Sequence, residues 1–132
     1  MTEIGKRSTR GVQVLLWGVR IATAGLLGHA ALGKFTGTEH ALEMFSRLGL
    51  GASGRIFIGM IEMLAALLIL SPQSTVYGAF LGLGVMIGAI IAHLTMIGLE
   101  GLAHATLVAV GCVTLLYICR QDASFLRNLW DR

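Results

Sequence analysis

Four apolar runs, separated by breaks too short to hold a separate soluble layer, constrain this chain more than any other feature. They cover residues 12–33, 56–70, 76–97 and 102–118. A helix needs about 20 residues to cross the hydrocarbon core of a bilayer. The first and third runs meet that length. Weakly polar flanks extend the other two: residues 49–54 lead into the second, and Tyr117 marks an interface for the fourth. Spans are therefore expected near residues 12–34, 54–71, 75–97 and 101–119, within one domain covering 1–132. Charge agrees. Only 13% of the residues are charged and 55% are hydrophobic, whereas a soluble domain carries about 25% charged residues. That many apolar side chains need lipid around them.

The breaks set the topology. Ser71-Pro72-Gln73-Ser74 is a turn, because Pro72 cannot continue a helix and Ser71 is pushed to extended backbone. Gly98-Leu99-Glu100-Gly101 turns the third run into the fourth. Short connections force antiparallel neighbours. The one longer connection, residues 35–55, contains Ala41, Leu42, Met44, Phe45 and Leu48 set against Glu39, His40, Glu43 and Arg47. That pattern predicts a short amphipathic helix on the membrane surface, with Gly49, Gly51 and Gly54 permitting a sharp re-entry. The expected fold is thus all-α, a four-transmembrane antiparallel bundle with an interfacial helix between the first and second spans.

The net charge of +3 does not point to nucleic acid, because the basic residues sit at the ends and in loops. They act as topology signals. Lys6, Arg7, Arg10, Arg120, Arg127 and Arg132 lie on one side; Lys34, Arg47 and Arg55 lie on the other. The bias places both termini in the cytoplasm, and Arg20 is expected to snorkel toward that side. The basic start resembles a signal peptide, but the run behind it is too long for one and reads as a retained helix. A bacterial cytoplasmic membrane is the expected location. Cys112 and Cys119 lie on one helix and cannot bridge each other there. No CxxC is present, so a paired-thiol mechanism has no support.

Small residues are expected at helix contacts: Gly18, Ala22, Gly25 and His29 on the first helix, Gly59 and Ala66 flanking Glu62 on the second, and Gly78, Gly82, Gly84 and Gly88 on the third. The surplus on the third helix predicts a homodimer. Ionisable residues inside the membrane carry the functional signal. His29 and His93 sit near the ends of the first and third helices, and Glu62 and His104 near the starts of the second and fourth. Alternating direction gathers all four in one half of the bilayer, the outer half in the assigned orientation. Lys34 and Glu100 lie just above, with Glu100 one helical step from His104. His40 reads as a solvated residue of the amphipathic helix, and Met60, Met63 and Met86 as core filling. Such a cluster fits four roles: a hydrogen-bond network joining helices, a small-molecule or quinone site, a metal or haem site using His29, Glu62, His93 and His104, or a proton path.

The run Ala24-Gly25-x-x-Gly28-His29-Ala30-x-x-x-Lys34-Phe35 precedes the amphipathic linker. Arg55-x-x-x-Gly59-x-x-Glu62 and an aliphatic run over 64–70 follow, then a glycine-rich helix ending in Ala92-His93. In these elements the chain resembles the DoxX-like family of small four-helix membrane proteins. That family is similar to the small subunit of a thiosulfate:quinone oxidoreductase and of a terminal quinol oxidase. The resemblance implies membrane redox work beside a partner enzyme, and it points to Lys34, Arg55, Glu62 and His93. The combined expectation is a quinone-type ligand in the outer half of the bundle. Glu62 would exchange a proton, His93 would donate to the ligand, and Lys34 or Arg55 would set the charge balance.

Overall fold

A computed structural model describes residues 3–119, with side chains from Arg10 onward. The basic tail residues Lys6, Arg7, Arg120, Arg127 and Arg132, which carried most of the orientation argument, have their side chains outside the described part. Five α-helices follow in order: α1 Glu3–Thr36, α2 Glu39–Arg47, α3 Gly51–Leu70, α4 Thr75–Ala92 and α5 Leu102–Cys119. A π-helical turn, His93–Ile97, prolongs α4. Among the described residues four stretches are long and apolar enough to cross a membrane: Arg10–Thr36, Gly51–Leu70, Thr75–Ile97 and Leu102–Cys119. They pack as a closed cycle, α1 on α3, α3 on α4, α4 on α5 and α5 on α1.

The turn between α3 and α4 works as its sequence predicts. Ser71 is extended, at φ −85 and ψ 122. The hydroxyls of Ser74 and Thr75 then take over carbonyls at the end of α3. Ser74 Oγ donates to the Leu68 carbonyl at 2.9 Å, and Thr75 Oγ1 reaches Ile69 at 3.1 Å and Ser71 at 2.9 Å. Helix ends leave carbonyls without intrahelical partners, and in lipid these must be met inside the protein. Just beyond, Gly78 lets the two backbones touch. A Cβ there would lie 2.7 Å from Ile69 N and 2.8 Å from the Ala65 carbonyl oxygen.

From that point α3 and α4 part. A Cβ on Gly82 would meet Ala65 only at 3.8 Å, and one on Gly84 or Gly88 would meet nothing within 4 Å. The expectation that all four glycines serve helix contact therefore holds for Gly78 and Gly82 and fails for the exposed Gly84 and Gly88.

Helix α1 also turns differently from expectation. Gly18, Ala22, Gly25 and His29 are exposed, while Leu16, Arg20, Thr23, Leu27, Ala31 and Lys34 are buried. Arg20, Leu27 and Lys34 repeat every seventh residue and so share one face of α1. A charged group on a lipid-facing wall costs more than a small residue left there, so the cations set the inward face. Arg20 reaches back one turn toward the N-terminal end of α1. It is 5% exposed, with its guanidinium carbon 5.0 Å from the Trp17 ring centroid.

Helix α2 is amphipathic as predicted. Thr38 caps it, its hydroxyl accepting from the Ala41 amide at 3.4 Å. Ala41 and Phe45 face the bundle, and Arg47 pairs with Glu43 at 2.6 Å on the outside. Gly49 and Gly51 adopt φ of +70 and +64, left-handed values that glycine takes without strain. The reversal is complete there, and α3 starts at Gly51, a turn earlier than expected.

Candidate functional site

The end of α1 is clasped by one face of α3. Arg55, Gly59 and Glu62 fall on that face, and Lys34-Phe35 lies across it. Arg55 Nη1 donates to the Lys34 main-chain carbonyl. That carbonyl is one of the last of α1, where a cation also meets the negative end of the helix dipole. Gly59 receives the two α1 residues: a Cβ there would lie 3.0 Å from the Phe35 ring and 3.2 Å from Lys34 Cβ. Lys34 Nζ then reaches Glu62. It hydrogen-bonds Oε1 at 3.0 Å and stands 2.8 Å from Oε2. The second contact is an ion-pair approach without hydrogen-bond alignment, so Oε2 keeps an open acceptor position. The Arg-x-x-x-Gly-x-x-Glu and Lys-Phe patterns are thus two halves of one contact.

Above this clasp lies a cleft of about 1080 Å³, at the upper end of small-molecule pockets. His29, Lys34, Glu62, His93 and His104 all line it. Most of the remaining wall is apolar, including Phe45, Leu48, Ile58, Ile61, Val85 and Met86. Helix α2 closes one side with Ala41, Met44 and Phe45. On another side the cleft runs to the outer surface of the bundle, where the exposed Phe80, Gly84 and Gly88 line it. This is where α3 and α4 have parted, so the splay of the two helices makes the opening.

Not every expected residue sits on this wall. Arg55 does not line the cleft; it holds the end of α1 and thereby positions Lys34. Glu100 does not stand over His104. It borders a small polar recess with His40, Glu43 and Arg47, because Gly101, at φ +82, breaks the helix between positions 100 and 104. Among the described residues no three His, Cys, Asp or Glu side chains gather as a metal-ligand set. Glu62 is engaged by Lys34.

Two features escaped the sequence. One is the π turn, closed by the Gly98 amide on the His93 carbonyl at 2.9 Å. Such turns recur at functional sites, and the only hint was a polar His93 and Thr95 just before Gly98. The other is the place of His40. It is exposed, as expected, but its Nε2 converges with that of His93. A Cβ on Gly101 would lie 2.8 Å from His93 Nε2 and 3.4 Å from His40 Nε2.

Four apolar helices, a surface helix and a buried ion pair define a small integral membrane protein of the four-span class. The sequence model of the DoxX-like family matches residues 18–118, which takes in every element that forms the clasp and the cleft. The chain belongs to the DoxX-like family. No curated protein and no solved structure matches it.

Proposed function

We propose that this protein takes a lipophilic small molecule of the quinone type from the bilayer into the cleft and works beside a membrane redox enzyme. The observation that carries the proposal is the cleft itself: an apolar chamber with a few polar groups at its inner wall and an opening on the lipid-facing side. That combination suits an amphiphile whose tail stays in hydrocarbon while its head meets Lys34, Glu62 and His93. The redox partnership rests on the family membership. In the assigned orientation the cleft lies in the outer half of a bacterial cytoplasmic membrane.

The clasp favours a second role, in which the polar residues only fix helix register. Arg55, Lys34 and Glu62 already satisfy one another to a large degree. The two roles separate by binding. Purified protein in lipid nanodiscs, titrated with a short-tailed benzoquinone or its quinol, should bind at least one form saturably. Gly88→Leu, which fills the opening where no neighbour stands within 4 Å, should weaken that binding tenfold or more without lowering the unfolding midpoint. If neither form binds the unmodified protein, the register role stands and the ligand proposal falls.

A further inference from the structure

His93 lines the cleft and is 5% exposed. Its Nδ1 lies 2.7 Å from the Ala89 carbonyl oxygen. A carbonyl only accepts, so Nδ1 carries the proton. In a neutral imidazole the second nitrogen is then a bare acceptor. That nitrogen, Nε2, is buried and has no hydrogen-bond partner among the described residues. Glu62 is the one carboxylate on the cleft wall among the described residues, and Lys34 already neutralises it.

An orphaned buried acceptor needs a donor. His93 was expected to donate to a ligand carbonyl. With its proton committed to Ala89, it would instead set lone pair against lone pair. On the same wall His104 Nε2 is also buried without a hydrogen-bond partner among the described residues. We infer that the cleft selects a hydroxyl headgroup over a carbonyl one, with His93 Nε2 accepting the O–H of a lipophilic phenol or alcohol. Within a quinone couple the quinol is the form held. This inference rests on the ligand-binding proposal above and adds which chemical form of the ligand the wall fits. Gly101 is part of the arrangement, because a Cβ there would lie 2.8 Å from Nε2 and press against it.

The test compares three ligands on the unmodified protein in nanodiscs under anaerobic conditions. They are a short-tailed benzoquinol, the benzoquinone with the same tail, and the quinol with both hydroxyls methylated. The third keeps ring, tail and ether oxygens but has no donor. The quinol should bind at least tenfold tighter than either of the others. His93→Phe should erase that preference. Because that variant also loses the bond to Ala89, the tautomer is read separately in the unmodified protein. Nitrogen-15 spectra of labelled histidine should show His93 protonated at Nδ1 and bare at Nε2, with Nε2 shifting on quinol addition. Equal or tighter binding of the quinone, or a proton found on Nε2, overturns the hydroxyl selection and leaves the ligand proposal standing. Absence of binding by all three ligands overturns both.

Discussion

Lys34→Met is expected to destabilise the bundle by about 3–5 kcal/mol, the usual cost of removing one partner from a buried ion pair. Glu62 is 2% exposed and lies deep against α1, so its carboxylate would be left without a cation. The reverse change, Glu62→Gln, should cost less. Lys34 sits in the last turn of α1, and a long flexible side chain so placed can extend toward the interface. The double variant Lys34→Met/Glu62→Leu should recover most of the loss, because apolar groups of similar size often replace a buried pair at little cost. Equilibrium unfolding in mixed micelles, followed by circular dichroism, gives all three values. An unchanged midpoint for Lys34→Met would mean that the pair is not buried in the folded protein.

The second large effect comes from one substitution made at two places in α4. Gly78→Ala should destabilise by about 1–3 kcal/mol, the ordinary cost of overpacking. Its new methyl would sit under 3.0 Å from two backbone atoms of α3, and backbone cannot rotate aside as a side chain can. Gly84→Ala meets nothing within 4 Å. There the change should be neutral or stabilising by up to about 1 kcal/mol, through the better helix propensity of alanine. Opposite signs within one helix would establish that α3 and α4 touch at the turn and open beyond it. A loss of similar size at both glycines would mean that the helices stay in contact and that the cleft has no side opening.

Much of this was legible in the sequence, and the reasons are physical. Apolar runs of bilayer length and breaks such as Ser71-Pro72 leave little freedom in helix number or direction. The alternation of Glu39, His40 and Glu43 with Ala41, Met44 and Phe45 was enough to place α2. Helix rotation was harder. In water an apolar face turns inward, but in lipid apolar faces turn either way. Gly18, Ala22 and Gly25 therefore suggest a contact face, but Arg20 and Lys34 are the better guide. The partner of Glu62 could be named only as one of several cations, because the choice between Lys34 and Arg55 depends on how the end of α1 crosses α3. The tautomer of His93 was beyond reach, since it depends on a side-chain bond to Ala89 in the turn where α4 gives way to π geometry.

The pairing of Lys34 with Glu62 has an electrical consequence. The two formal charges on the inner wall of the cleft cancel within a single contact of 2.8 Å, so a neutral headgroup entering from the hydrocarbon finds no net charge there. A charge displaced across an energised membrane exchanges about 2.3 kcal/mol per 100 mV with the transmembrane potential. Filling this cleft with an uncharged molecule displaces none, and its occupancy should be the same in a polarised membrane as in a collapsed one.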